Sequence, residues 1–198
     1  ATYAQYHARC SQLASALVAA GVEPGQVVAT ILPNIPAQAE AHFGVPACGA
    51  VLNTINTRLD VDTVGYILDH GEARVLLVDT QFVDLAEAAC ATLDGPPPLL
   101  IEVPDPAAGF PATGRHTTYD DFIATGDPAF NWIMPDNEWE SLALNYTSGT
   151  TGKPKGVIQT FRMMMANYFN IGLAVELTSR DVLLNVLPLF HTAGINLY

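Results

Sequence analysis

Tyr146-Thr147-Ser148-Gly149-Thr150-Thr151-Gly152-Lys153-Pro154-Lys155-Gly156-Val157 follows directly on the apolar run Leu142-Ala143-Leu144. It concentrates hydroxyl side chains, glycines and two lysines in a loop that leaves a buried strand. Such a loop suits a polyphosphate: glycines admit close backbone approach and positive φ, hydroxyls donate hydrogen bonds, and lysines neutralise charge. The P-loop pattern G-x-x-x-x-G-K-[ST] is excluded, because Pro154 follows Gly152-Lys153 and Thr147 stands where the first glycine is required.

Outward from this loop, the chain alternates between the two hydrophobic periods. Upstream, Tyr6, Cys10, Leu13 and Leu17 define one helical face, closed by Gly21. Val27–Leu32, Ala50–Ile55, Val75–Val78 and Leu99–Val103 read as buried strands. Between them lie a helix opening at Pro36 that Gly44 and Pro46 should kink or stop, a helix capped by Asp60 or Asp62 and stopped at Gly71, and a helix over Phe82–Leu93. The alternation predicts an α/β fold, a layered and mainly parallel sheet flanked by helices. Pro104–Pro135 reads as a surface excursion with one short helix, Tyr119–Ala124. Ser141–Tyr146 returns to the sheet and Gly156–Gln159 leaves the loop as a strand. A Met-rich helix over Phe161–Leu173 is expected to pack Met163, Met164, Met165, Tyr168 and Phe169 into the core. A last strand is expected over Asp181–Val186.

Composition narrows the function. Of 198 residues, 49% are hydrophobic and 14% charged, which suits a packed core and argues against disorder. A net charge of −12 disfavours nucleic acid and anionic membranes as partners. Cys10, Cys48 and Cys90 are dispersed and odd in number, pointing to buried thiols in a reducing, cytoplasmic setting rather than disulfides. No His/Cys spacing suggests zinc, and no apolar run approaches the roughly 20 residues of a membrane span. The absence of an initiator Met and the apolar run into Tyr198 suggest that both ends are cut.

The loop resembles the signature of the acyl-adenylate-forming enzymes: a small hydroxyl pair, Gly-Thr-Thr-Gly, a variable residue, then Pro-Lys-Gly, met at every position from Thr147 to Gly156. Three further stretches are similar in the family's order: Thr2–Tyr6; Gly49–Leu59, with Ile55 where proline is common; and Leu187-Pro188-Leu189-Phe190-His191 with Gly194. Thr160-Phe161-Arg162 resembles a Thr-His-Arg run, with Phe161 replacing His. The resemblance implies that residues 1–198 are part of the N-terminal AMP-binding domain of an AMP-forming acyl-CoA synthetase. ATP, Mg²⁺ and coenzyme A would be its cofactors and a fatty or small organic acid its substrate, and a homodimer is admitted for the intact parent. It assigns Thr147, Ser148, Gly149, Thr150, Thr151, Gly152 and Lys155 to the β- and γ-phosphates, Thr151 also to the metal, and His191 to the acyl carboxylate. Lys155 and His191 are thus the catalytic candidates. Lys153, at the variable position, is expected to be solvated, and Arg58 and Arg162 to be structural ion-pair partners. The family's later motifs, which supply a metal-binding Glu, a ribose-binding Asp and a C-terminal Lys, have no counterpart here, so the chain alone is expected to be inactive. An amino-acid adenylation domain and a non-catalytic nucleotide-binding module remain as alternatives.

Overall fold

A computed structural model describes residues 1–147, 152–182 and 184–195. Seven strands form one sheet in the order β5-β4-β3-β1-β2-β6-β7. They are β1 (Val27–Ile31), β2 (Val51–Thr54), β3 (Ala73–Asp79), β4 (Leu99–Val103), β5 (Thr117–Thr118), β6 (Ser141–Thr147) and β7 (Lys155–Thr160). Every neighbouring pair is parallel except β6–β7, an antiparallel hairpin whose register runs from Ala143↔Gln159 to Thr147↔Lys155. The phosphate-type loop is therefore the tip of a hairpin, and its ends are fixed by a strand ladder on both sides.

The helices are α1 (Tyr3–Ala19), α2 (Pro36–Ala47), α3 (Val61–His70), α4 (Val83–Cys90), α5 (Tyr119–Ala124), α6 (Phe161–Ala174) and α7 (Thr192–Ile195). Thr2 and Gln5 cap α1 reciprocally, Asp60 caps α3 through the Thr63 N–H, and Thr160 caps α6. The central strands are buried on both faces because period-two alternation feeds two cores. Val28, Leu52, Leu77 and Ile101 pack beneath α1, α2 and α5 with Leu13, Leu17 and Phe122. Ile31, Leu76 and Val78 pack beneath α3 and α4 with Val64, Ile67, Leu68 and Val83.

Four expectations need correction. Helix α2 runs through Gly44 and Pro46 to Ala47. Gly44 is a contact residue rather than a stop, since a Cβ there would lie 2.8 Å from Leu13 Cδ2 and 2.9 Å from the Cys10 carbonyl oxygen on α1. The 104–135 stretch is no mere excursion. It adds β5 to the sheet edge and lays α5 on α1, where buried Tyr119 donates 2.8 Å to Glu40, which Arg9 also holds at 2.6 Å. Trp132 Nε1 donates to Ser11 on α1 at 2.9 Å. Helix α6 buries Met164 alone of its proposed core set; Met163, Met165, Tyr168 and Phe169 are exposed, because no described element covers that face. Asp181–Val186 forms no strand among its described residues. Val182, Leu184 and Val186 are exposed, and Asp181 instead accepts the Thr178 N–H and hydroxyl.

Among the described residues no helix is long and apolar enough to cross a membrane. Cys10 and Cys48 are buried free thiols, pushed up to about 12 and about 11 by desolvation.

Candidate active site

A cavity of about 590 Å³ opens at the carboxyl ends of β2 and β6, where ligands of open α/β sheets bind. Its lining includes the two ends of the loop, Thr147 with Gly152 and Pro154, and the turn Phe190-His191-Thr192. Asn53–Asn56, Leu59, Thr63 and Ile67 close the α3 side, and Asn145, Val157 and Gln159 close the hairpin side.

Ser148, Gly149, Thr150 and Thr151 lie outside the described residues, so the central phosphate-contact expectations fall there. The loop's ends are described. Thr147 pairs with Lys155 across the ladder, two steps beyond Asn145↔Val157. Strand alternation puts Lys155 on the same face as Val157 and Gln159, both of which line the cavity. Lys155 itself is exposed and is not part of the cavity wall. Among the described residues nothing lies within 4 Å of where a Cβ on Gly152 would be, and Gly156 takes no positive φ. At Gly156 the glycine relieves packing instead, since a Cβ would stand 3.0 Å from Leu144 Cδ1.

Lys153 is exposed but not simply solvated. Its ammonium sits 4.8 Å from the Tyr66 ring centroid on α3, within cation–π range. Tyr66 meets Tyr146 edge-on at 6.5 Å, and the Tyr146 hydroxyl shares a 2.8 Å hydrogen bond with His70 Nδ1. Burial pushes Tyr146 up to about 12, so the phenol stays protonated at physiological pH.

The His191 turn is clamped from several elements. Asn34 accepts the Leu189 N–H at 2.8 Å and donates to the Leu187 carbonyl at 2.9 Å. His42 Nε2, on α2, donates to the Leu189 carbonyl at 3.0 Å, and burial lowers its pKa to about 4, which keeps the ring neutral. Thr54, on β2, donates to the Phe190 carbonyl at 2.6 Å. Within the turn, His191 N–H bonds the Pro188 carbonyl at 3.0 Å and Gly194 N–H bonds the His191 carbonyl at 2.8 Å. Only glycine fits at 194, where a Cβ would fall 2.2 Å from the Pro188 oxygen. His191 is thus held in the lining of the same cavity as Thr147 and Gly152.

Of the two arginines, Arg162 pairs with Glu138 at 3.0 Å as expected. Arg58 departs from expectation: it is exposed and has no ion pair among the described residues. The sequence pointed to Thr147, Gly152, Lys155 and His191, and the structure places Thr147, Gly152 and His191 around one cavity with Lys155 on its flank. It gave no role to Thr54, Asn145 or Gln159. Their one signal is polarity inside apolar strands: Asn145 interrupts Leu142-Ala143-Leu144, and all three are buried.

The hydroxyls, glycines and lysines of the loop sequence suit phosphate oxygens rather than a bare cation. Among the described residues there is no group of three or more His, Cys, Asp or Glu side chains that could hold a metal. A mainly parallel sheet with a glycine- and hydroxyl-rich loop at its carboxyl edge defines a nucleotide-binding α/β domain. The chain belongs to the AMP-binding enzyme family, whose model matches residues 1–198. It is 42% identical over 204 residues to a peroxisomal acetate/butyrate–CoA ligase of Arabidopsis thaliana, covering 98% of this chain and 36% of that protein. To a 2-methylpropanoate–CoA ligase of Humulus lupulus it is 38% identical over 199 residues, again covering 98% and 36%. Its fold superimposes with a TM-score of 0.81 on ATP-bound MatB from Rhodopseudomonas palustris, at 25% identity, covering 98% of this chain and 36% of that one. The chain therefore spans 36% of the length of each of these proteins.

Proposed function

We propose that this chain supplies the ATP-phosphate side and part of the acid side of an AMP-forming acid–thiol ligase. The observation that carries the reading is one cavity lined both by the loop ends Thr147 and Gly152 and by His191. The reaction joins a carboxylate oxygen to the α-phosphorus of ATP, releasing pyrophosphate, and the acyl-AMP then passes its acyl group to the coenzyme A thiol with loss of AMP.

The physical difficulty of the first step is charge, since a carboxylate approaches a polyanion while negative charge grows on the departing pyrophosphate. Thr147, Ser148, Thr150 and Thr151, with the backbone N–H groups of Gly149 and Gly152, are assigned to the β- and γ-phosphate oxygens. Lys155, on the cavity-facing side of β7, adds a positive charge toward the same group. Thr151 is assigned as a protein donor to Mg²⁺, which when bound would neutralise charge on the leaving group. His191 is assigned to orienting the acid carboxylate.

The named relatives act on acetate, butyrate and 2-methylpropanoate, so a short-chain carboxylic acid is the favoured substrate over a long-chain fatty acid. The peroxisomal relative makes that organelle a second compartment beside the cytoplasm.

Two measurements test the reading. Isothermal titration of the 198-residue chain with ATP should show binding, and Lys155→Ala should weaken it by about tenfold, the worth of one charge-assisted contact. Equal affinity of the two proteins at low salt removes Lys155 from the site. Acid-dependent exchange of labelled pyrophosphate into ATP should be absent from this chain and present in a protein that also carries the Glu and Asp motifs. Exchange by the 198 residues alone would overturn the division of labour proposed here.

A further inference from the structure

A line of buried polar side chains runs under the cavity, and it has a direction. Thr54 Oγ1 lies 2.6 Å from the Phe190 carbonyl oxygen, Asn145 Nδ2 2.8 Å from Thr54 Oγ1, and Gln159 Nε2 3.2 Å from Asn145 Oδ1. Gln159 Nε2 also lies 3.3 Å from Thr192 Oγ1. A peptide carbonyl can only accept, so the single hydroxyl proton of Thr54 is committed to Phe190. Thr54 Oγ1 can then only accept from Asn145, which must turn its NH₂ toward it. That leaves Asn145 Oδ1 facing Gln159, which must likewise present its NH₂. Each orientation is forced by the one before it, and the series begins at a backbone atom.

We propose that Gln159, Asn145 and Thr54 are positioning residues for His191, acting as a one-way hydrogen-bond relay. The relay ties the hairpin that carries the phosphate loop to both shoulders of the turn that carries the histidine. Thr54 holds the residue before His191 and Gln159 the residue after it. The three residues are 4–8% exposed, so the bonds form away from water, where a missing partner costs most. Asn145 and Gln159 lie on the two strands whose far ends are Thr147 and Lys155. Displacement of the hairpin tip therefore reaches the His191 turn through two side chains, linking occupancy of the phosphate side to geometry on the acid side. The relay itself does not depend on the proposed reaction; only the meaning given to His191 does.

Isosteric substitutions test the direction of the bonds. Asn145→Asp keeps the size but replaces the donor with an acceptor, so the Thr54 proton is drawn to the carboxylate and the Phe190 carbonyl is released. Thr54→Val removes the hydroxyl at nearly constant volume, whereas Thr54→Ser retains it. Amide hydrogen exchange on the full 198-residue chain reads the turn without any ligand. Exchange at Leu189 and His191 should speed up by about tenfold in Asn145→Asp and Thr54→Val, the equivalent of one hydrogen bond, and return to within about twofold of the wild type in Thr54→Ser.

Gln159→Glu adds a pH signature that simple loosening would not produce. The introduced carboxyl can donate to Asn145 when protonated and cannot when ionised, so protection of the His191 amide should rise as pH falls through the titration of that carboxyl. Unchanged exchange in Thr54→Val, no rescue by serine, or a pH-independent Gln159→Glu would each overturn the relay. Titration of the same proteins with ATP separates the two ideas. Normal relay behaviour with no binding by the wild type counts against the proposed function alone.

Discussion

Single atoms decide several positions at the site. Gly194 is fixed by the Pro188 carbonyl, which a Cβ would meet at 2.2 Å. Gly194→Ala must therefore open the turn and break the His191–Pro188 bond. It is expected to speed amide exchange at His191 by about tenfold, while urea unfolding of the sheet changes little because the turn lies at its edge. A large loss of global stability with unchanged exchange at His191 would contradict this. Gly152 is the opposite case: with no described atom within 4 Å of an added Cβ, Gly152→Ala should fold as the wild type, and any loss should appear in ATP affinity. The sequence could not separate the two glycines, since what excludes a Cβ at position 194 is folded back from Pro188. Nor could it assign Asn145 or Gln159, whose partners Thr54 and Thr192 become neighbours only once β2, β6 and the turn assemble.

Elements whose signals are local were legible to within a residue or so. The strand Leu99–Val103 and helix Tyr119–Ala124 have the limits expected from their sequence, and Asp60 caps α3 as its position suggests. Elements that depend on distant contacts were not. The two residues of β5 are too few for a period, and Gly44 resembles a helix stop until α1 is seen against it. The union of α2 with the 187–191 turn through His42 is likewise a tertiary fact, with a measurable consequence. Burial lowers the His42 pKa from an ordinary value of 6.5 to about 4. Between those values the unfolded chain binds a proton that the folded one does not, so His42 costs stability as pH falls from about 6.5 and reaches its full cost below about 4. The full cost is at most about 3 kcal/mol. Urea unfolding of the wild type and His42→Gln across that range should show a shallower fall in the variant. Parallel curves would show that His42 is not held neutral.

At the scale of the molecule, hydrophobic pattern and coverage part company. Phe161–Ala174 has the composition of a core helix, yet Phe169 is 64% and Leu173 79% exposed. The apolar run continues through Val175, Leu177, Val182, Leu184 and Val186, all exposed. Composition reports that such a face needs cover, and is silent on whether the cover lies within the same 198 residues. Contiguous exposed apolar surface of this kind is rare on stable monomers and drives association. A net charge of −12 opposes that association by repulsion between copies, and salt screens the repulsion. The chain should therefore bind an environment-sensitive apolar dye such as ANS in its folded state. Its weight-average mass in sedimentation should rise between about 20 mM and about 500 mM salt, as the Debye length falls from about 20 Å to about 4 Å. Leu173→Glu with Phe169→Lys should reduce both signals without lowering the unfolding midpoint, because neither side chain is part of the core. A folded wild type that binds no dye and stays monomeric at both salt concentrations would mean that this face is covered by contacts within the chain.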